Sequence, residues 1–389
     1  MYKSFHSIIQ YLLFFIFLFS FYSCNQVESP SQISQIPQIA QTSDTTQIVQ
    51  MVFAADLHYG LTRVFRGNVV SANIVNEEMV KQINSLPTAV FPNDGGVNAA
   101  KEITFIDNVA IGGDITNRQQ SGVQSATTSW AQFNSDYLNG ITLKNKKNLN
   151  TEFLLTCGNH DVSNAIGYPK ALYPAIDNTS MVNIYNLMLR PLVPKTNINY
   201  DYNKDKPNYS KNMVGVHLMF VTMWPDSANR IWMEKDLASV SLNTPVIIFT
   251  HDPAAGESTH FTNPFGNHSF TADYEDVIEQ RFNGTLTFEN EFAGFLKLHP
   301  NIKAYFHGHT NFNEFYTFVG PNGDAKLNVF RVDSPMKGAV SLSDETKLSF
   351  QVLAINGLTQ TLTVRECLWN TTGASSKVSW GQSSTISLK

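Results

Sequence analysis

Five short apolar runs in this chain each end on side chains able to bind a metal ion or move a proton. Asp56 and His58 follow Val52 to Ala55, and Gly112-Gly113-Asp114 closes the run Val109 to Ile111. Cys157-Gly158-Asn159-His160-Asp161 comes after Phe153 to Leu155, His251 after Val246 to Thr250, and His307-Gly308-His309-Thr310-Asn311 after Ile302 to Phe306. If Asp56 and His58 are extended, residues two apart point the same way and both face one ion. The glycines beside Asp114 let backbone and ligand approach closely. A donor set of carboxylate, imidazole and amide suits Zn, Mn or Fe rather than copper or an iron–sulfur cluster.

The elements that position these groups read as a strand–helix alternation. The five apolar runs, with Val216 to Thr222, have the continuous hydrophobicity of buried strands. Helical patterns occupy Asn73 to Asn84, Ser125 to Leu138, Thr179 to Leu189, Ser227 to Val240 and Asn290 to Leu298. Towards the end, Asn328 to Val332, Lys347 to Ala354 and Thr361 to Cys367 read as antiparallel strands. This pattern predicts a layered α/β domain, in which ligands gather at the carboxyl ends of strands. Of the ten histidines, His58, His160, His251, His307 and His309 lie at such ends. His217 falls mid-strand and reads as a satisfied core residue, while His260 and His268 sit on a long loop. No Gly-rich phosphate loop, Gly-x-Ser-x-Gly elbow or His-Glu-x-x-His is present.

In order and spacing, Asp56-x-His58, Gly113-Asp114, Gly158-Asn159-His160-Asp161, His251 and Gly308-His309-Thr310-Asn311 resemble the calcineurin-like metallophosphoesterase superfamily. The resemblance implies an α/β/β/α sandwich with a C-terminal antiparallel strand region, and a two-metal centre that activates hydroxide for hydrolysis of a phosphate ester. It implies that Asp56 and His58 bind a first ion and that Asp114 bridges it to a second. Asn159, His251 and His309 would complete the ligand set of the second ion. His160 would act as general acid, oriented by Asp161. Asn311 stands where the family has a last histidine, so the first ion would be held through an amide oxygen; His307 is the alternative ligand. Two adjacent cations would offset the repulsion between an anionic ester and its nucleophile and acidify a bound water. Arg118 and Tyr59, each beside a motif, are candidate substrate contacts.

Lys3 and His6 precede an apolar run from Ile8 to Phe21 and then Tyr22-Ser23-Cys24. A basic start, a short apolar stretch and a small residue before a break form a secretory signal. Cys24 occupies the place of a lipidated cysteine in bacterial lipoproteins. The expected organisation is a signal peptide over 1–23, a flexible tether over 24–47 rich in Gln, Ser, Thr and Pro, a phosphoesterase domain over 48–372 and a Ser-rich tail over 373–389. An exported, membrane-anchored lipoprotein is expected, with a plainly secreted chain as the alternative. Cys157 and Cys367 are too few for a disulfide framework.

Charged residues make up only 15%, 27 basic against 32 acidic, and aromatics reach 12%. That composition excludes a wholly disordered chain and supplies no basic field for a nucleic-acid partner. The expected partners are a phosphate-ester substrate and, through the anchor alone, a membrane. A second reading is a surface-anchored binding lipoprotein on a degenerate phosphoesterase fold.

Overall fold

The computed structural model describes residues 47–117, 124–162, 177–202, 204–257, 287–371 and 377–389. The proposed signal, the tether up to residue 46 with Cys24, and Arg118, His260 and His268 lie outside them.

In chain order the strands are β1 (Ile48–Ala54), β2 (Thr62–Phe65), β3 (Asn68–Ser71), β4 (Asn108–Ile111), β5 (Glu152–Leu155), β6 (Tyr209–Met213) and β7 (Val216–Phe220). They continue with β8 (Val246–Phe249), β9 (Ile302–His307), β10 (Glu314–Phe318), β11 (Leu327–Arg331), β12 (Ser349–Asn356), β13 (Thr361–Leu368) and β14 (Ser379–Ser387). The helices are α1 (Ala72–Asn84), α2 (Ala126–Phe133), α3 (Asn159–Val162), α4 (Thr179–Leu189), α5 (Ser227–Leu237) and α6 (Thr287–Leu298). A π-helical turn, Asn134–Leu138, extends α2. Ser125 and Asp226 start α2 and α5 by accepting the backbone N–H groups of Thr128 and Asn229.

Two mixed sheets face each other. The first runs β14-β13-β12-β1-β4-β5 and the second β10-β11-β9-β8-β7-β6. The first has a parallel half, β1-β4-β5, that runs to its edge beside the antiparallel β12-β13-β14, and the second a parallel centre, β11-β9-β8-β7, flanked by the antiparallel β10 and β6. Strands covered on both faces need apolar residues throughout, and β4 and β8 are buried at every position. Met51, Phe53, Leu353 and Val364 of the first sheet pack against Leu218, Phe249, Phe306 and Phe330 of the second. Val75, Met79, Phe133 and Met181 cover the outside of the first sheet, while Met233, Phe292 and Phe295 cover the second. The expected α/β/β/α sandwich is the architecture observed.

Across the second sheet runs a ladder of rings in direct register. Tyr209, Phe220, Phe249, Phe306 and Phe330 stack face to face, with successive centroids 4.7, 4.9, 4.8 and 4.9 Å apart. Phe53 of β1 meets Phe249 and Phe306 edge-on at 5.7 and 5.4 Å, joining the sheets where their strands end.

Two expectations are corrected. The Ser-rich stretch assigned to a tail contributes β14, which pairs with β13 from Thr361↔Ser387 to Leu368↔Ser379. Its consecutive Ser383-Ser384-Thr385 on an edge strand break the apolar/polar alternation of a strand and are easily mistaken for an unstructured end. Asn328 to Val332, expected in an antiparallel array, gives β11, which is antiparallel to β10 but parallel to β9. The carboxyl end of β11 therefore lies on the same side of the sheet as those of β9, β8 and β7. Cys157 and Cys367 are buried and free.

Candidate metal centre

Asp114 lies at the middle of the cluster, on the turn after β4. Its Oδ2 is 3.7 Å from His58 Nε2, 3.9 Å from His160 Nε2 and 3.3 Å from His251 Nε2. The ligand atoms of His58, Asp114 and His160 lie within 4.8 Å of one another, and so do those of Asp114, His251 and His309. Asp56 Oδ1 is 3.6 Å from His58 Nε2 on the first side, and Asn159 Oδ1 is 3.2 Å from His251 Nε2 on the second. Ligands about 2.0–2.2 Å from one ion stand ~3–4 Å apart, so these separations fit two ions sharing the Asp114 carboxylate.

Unsatisfied atoms point the same way. Asp56 Oδ1, both ring nitrogens of His58 and Asn311 Oδ1 are buried without a hydrogen-bond partner. Such orphans are costly in a folded protein, and a bound cation is the partner their chemistry calls for. The two ligand clusters therefore fit transition-metal ions.

The backbone that delivers these groups is unusual. Asp56, His58, Asp114, His309 and Asn311 all have positive φ, at 57, 45, 51, 65 and 60°. The extended geometry expected for Asp56 and His58 is thus replaced by two left-handed residues just past β1. Left-handed non-glycine residues cost on the order of 1–2 kcal/mol each, and their concentration in one centre marks a shape imposed by the ligands. Cross-bonds hold it: Asp56 N donates to Gly113 O at 2.9 Å, His58 N to Asp114 O at 3.0 Å and Gly308 N to His251 O at 3.1 Å. His309 N and His160 N donate at 2.8 Å to Asp56 Oδ2 and Asp114 Oδ1. The motif glycines are required by this crowding. A Cβ at Gly158 would sit 2.2 Å from Asp114 Oδ1, and one at Gly308 2.1 Å from Asp56 Oδ2.

Electrostatics follow from three imidazoles around one carboxylate. Burial opposes charge on Asp114, yet the neighbouring His251, His160 and His58 hold it well below the ordinary range. Burial likewise pulls the His251 imidazole down, but Asp114, Asp56 and Asp252 raise it to about 10. Its Nδ1 faces Gly112 O at 2.8 Å, so Nδ1–H donates there and Nε2 is aimed at Asp114. A proton at Nε2 then occupies the place that a cation would take. His58 shifts down, through burial first and then the charge of Lys337.

Several expected roles change. Asp161 does not orient the His160 ring: its carboxylate accepts the N–H groups of Gly158, Ile115 and Thr116 at 3.0, 3.2 and 3.1 Å and the Thr116 hydroxyl at 3.4 Å. It fastens the Asn159 turn to the Asp114 turn. Burial and the Asp114 charge raise it to about 7. Tyr59 is no surface contact; it is buried, and its hydroxyl donates to Asp136 at 2.9 Å. His307, the alternative ligand, is engaged at both nitrogens, with Gly308 O at 2.9 Å and the Tyr316 hydroxyl at 3.0 Å. Asn311 donates its Nδ2–H to His309 O at 2.6 Å, leaving Oδ1 available to ligate a cation. His217 bonds Asn212 on the neighbouring strand β6 and Asp236 on helix α5.

Two residues escaped the sequence reading. Glu257 Oε2 lies 3.9 Å from His309 Nε2. Lys337, on the loop after β11, brings Nζ to 3.3 Å from His160 Nε2. A lysine–glycine pair in a Ser/Pro loop just past a strand was the available signal, and the supposed antiparallel setting of that strand hid it.

The sequence model of the calcineurin-like phosphoesterase family matches residues 49–311. A comparison with curated proteins returns no match. Among solved structures, a Vps29 variant from Entamoeba histolytica is similar at 10% identity, covering 87% of this chain and 99% of its own, with a TM-score of 0.30. Phosphopantetheinyl hydrolase from Mycobacterium tuberculosis is 12% identical over 74% of this chain and 91% of its own, with a TM-score of 0.32. Vps29 from Chaetomium thermophilum is 9% identical over 87% and 98%, with a TM-score of 0.32.

Proposed function

The chain belongs to the calcineurin-like phosphoesterase family, and from that premise we propose that it is an exported, lipid-anchored hydrolase of phosphoric esters working with two transition-metal ions. The observation that carries the reading is the Asp114 carboxylate set between His58 and His160 on one side and His251 and His309 on the other. Asp56, His58 and Asn311 would hold the first ion, and Asn159, His251 and His309 the second, with Asp114 shared. When bound, the ions supply charge neutralisation and a nucleophile drawn from water.

The chain's own groups do the rest. His160, fixed by its N–H on Asp114, keeps a ring nitrogen at the edge of the cluster, where it can hand a proton to the departing alkoxide. General-acid help of this kind is worth ~10²–10⁴ in rate. Asp161 keeps the two turns in register, so that His160 and Asp114 move as one body. The start of the chain, with its apolar run and Cys24, supports export and anchoring outside the cytoplasm.

The test is hydrolysis of 4-nitrophenyl phosphate and bis(4-nitrophenyl) phosphate by purified protein, with metal analysis of the same sample. Activity that disappears on chelation and returns with Mn or Zn is expected. Protein that binds no transition metal and cleaves neither ester defeats the reading. Asn311 in place of a histidine favours the second reading, a binding module. Asp114→Asn separates the two, since an enzyme loses nearly all turnover and a binder keeps its ligand.

A further inference from the structure

Arg331 closes β11 beside the turn that carries His309 and Asn311, and its buried guanidinium engages that turn on both sides of Asn311. Nη1 donates to Thr310 Oγ1 at 2.9 Å, and Cζ stands 3.4 Å from the centre of the Phe312 ring. Nη2 pairs with Glu314, the residue opposite Arg331 on β10. Gln351 Nε2 of β12 donates to Arg331 O at 2.8 Å and to Asn313 Oδ1 at 3.0 Å, tying the far end of the turn to the same point.

These contacts lie in two directions. The flat face of the guanidinium covers Phe312 while its edge donates to Thr310 and Glu314, a combination open to a planar group and not to an ammonium. What is held is a strained turn, left-handed at His309 and Asn311 with φ of 65 and 60°, a conformation that persists only where the surroundings impose it. His309 has supports of its own: its N–H donates to Asp56 Oδ2 at 2.8 Å, and Gly308 N donates to His251 O at 3.1 Å. Asn311 lies beyond these, and the residues before and after it both rest on Arg331. Its Oδ1 is buried without a hydrogen-bond partner, so the turn sets where that oxygen points. A neutral amide oxygen is a weaker ligand than imidazole, and its affinity depends on being held in place before the ion arrives.

Resting on the two-metal reading above, we propose that Arg331 is a positioning residue for the first metal ion. By clamping Thr310 and Phe312 it fixes the Oδ1 of Asn311 at the ligating position, and it does so for this ion and not for the second.

The experiment titrates metal-free full-length protein with Zn in competition with a chelator, so that two Kd values are resolved. Asn311→Ala identifies the first ion as the one whose Kd it raises. Outer partners of metal ligands are worth ~10–100-fold in affinity, and Arg331→Lys, which keeps the charge and loses the planar clamp, should weaken that same ion by about 10-fold. The second ion should change by no more than about 2-fold. In an Asn311→Ala background, Arg331→Lys should add no more than about 2-fold to the first Kd, because no ligand remains to be positioned. Phe312→Leu takes the ring from the guanidinium and leaves the pair with Glu314 in place. It should weaken the first ion by about 3-fold or more, and it decides the matter if Arg331→Lys does not fold. A residue that only stabilised the sheet would lower both affinities together, with or without Asn311. Equal weakening of the two ions, an unchanged first Kd, a loss that persists in full in the Asn311→Ala background, or an Asn311→Ala that moves neither ion would overturn the assignment. Parent protein that binds no transition metal defeats the hydrolase reading and the assignment together. Parent protein that binds two ions and cleaves neither ester defeats the hydrolase reading alone, and the Kd values still decide the role of Arg331.

Discussion

Removing the Asp161 carboxylate separates two accounts of the same residue. The sequence pattern casts it as the partner that orients His160, whereas the structure gives it three backbone N–H groups and a hydroxyl on the Asp114 and Asn159 turns. Asp161→Ala would leave the Gly158, Ile115 and Thr116 amides buried without an acceptor. Each orphaned amide costs about 1–3 kcal/mol, and some relaxation is open to a short turn, so a total of about 3–6 kcal/mol is expected. For a domain of this size that is a fall in Tm on the order of 10 °C. Asp161→Asn keeps one acceptor oxygen and should lose roughly half as much. Thermal and denaturant unfolding of both variants would be measured beside their metal content and turnover. Metal binding should weaken with stability, because Asp114 and Asn159 lose their common fastening. If Asp161→Ala keeps its Tm within about 2 °C while turnover collapses, the fastening account is wrong and the residue acts on His160 after all.

Other perturbations have definite expected outcomes. Burial pushes the Asp333 carboxyl up to about 8 from an ordinary 3.8, so the native state keeps a proton that the unfolded chain releases between those values. The stability contributed by that proton is full below 3.8 and is lost as pH rises through 8. Asp333→Asn should therefore gain Tm relative to the parent above pH ~8 and gain nothing below pH ~4; parallel Tm–pH curves would refute this. Asn311→His should tighten metal binding by ~10-fold or more, an imidazole replacing a neutral amide oxygen, and unchanged affinity in a competition titration with chelator would deny Asn311 a ligand's place. Tyr59→Phe removes one bond to Asp136 and should cost about 1 kcal/mol with KM unmoved, whereas a raised KM would restore it as a substrate contact.

The clustering of metal-competent side chains was legible because each piece is local: an apolar run followed within a few residues by Asp56, Asp114, Asn159, His251 or His309. The sandwich was legible for a related reason, since buried parallel strands such as β8 must be apolar throughout. What escaped depends on neighbours brought together by folding. The geometry of Asp56 and His58 is left-handed because Gly113 O and Asp114 O bind their amides, and nothing within five residues specifies it. Lys337 became visible only once β11 was placed parallel to β9. The role of Asp161 could not be read from its adjacency to His160, because a helical turn sends neighbouring side chains apart. In β14, the contiguous Ser383-Ser384-Thr385 hid a strand whose partner, β13, is itself well patterned.

The ring ladder across the second sheet bears on how the centre tolerates change. Phe249 and Phe306 stand directly opposite one another, two residues before His251 and Gly308. Sliding β8 past β9 by one residue would invert the faces of the strand and displace His251 by ~3.3 Å, more than the ~2 Å length of a metal–nitrogen bond. The stacked rings oppose that slide, because every step would break contacts along the whole row at once. They work as a vernier, transferring strand alignment deep in the sandwich to atomic tolerance at its rim. The loops beyond the rim are then at liberty to vary in length and composition while the spacing of the metal-competent atoms stays constant.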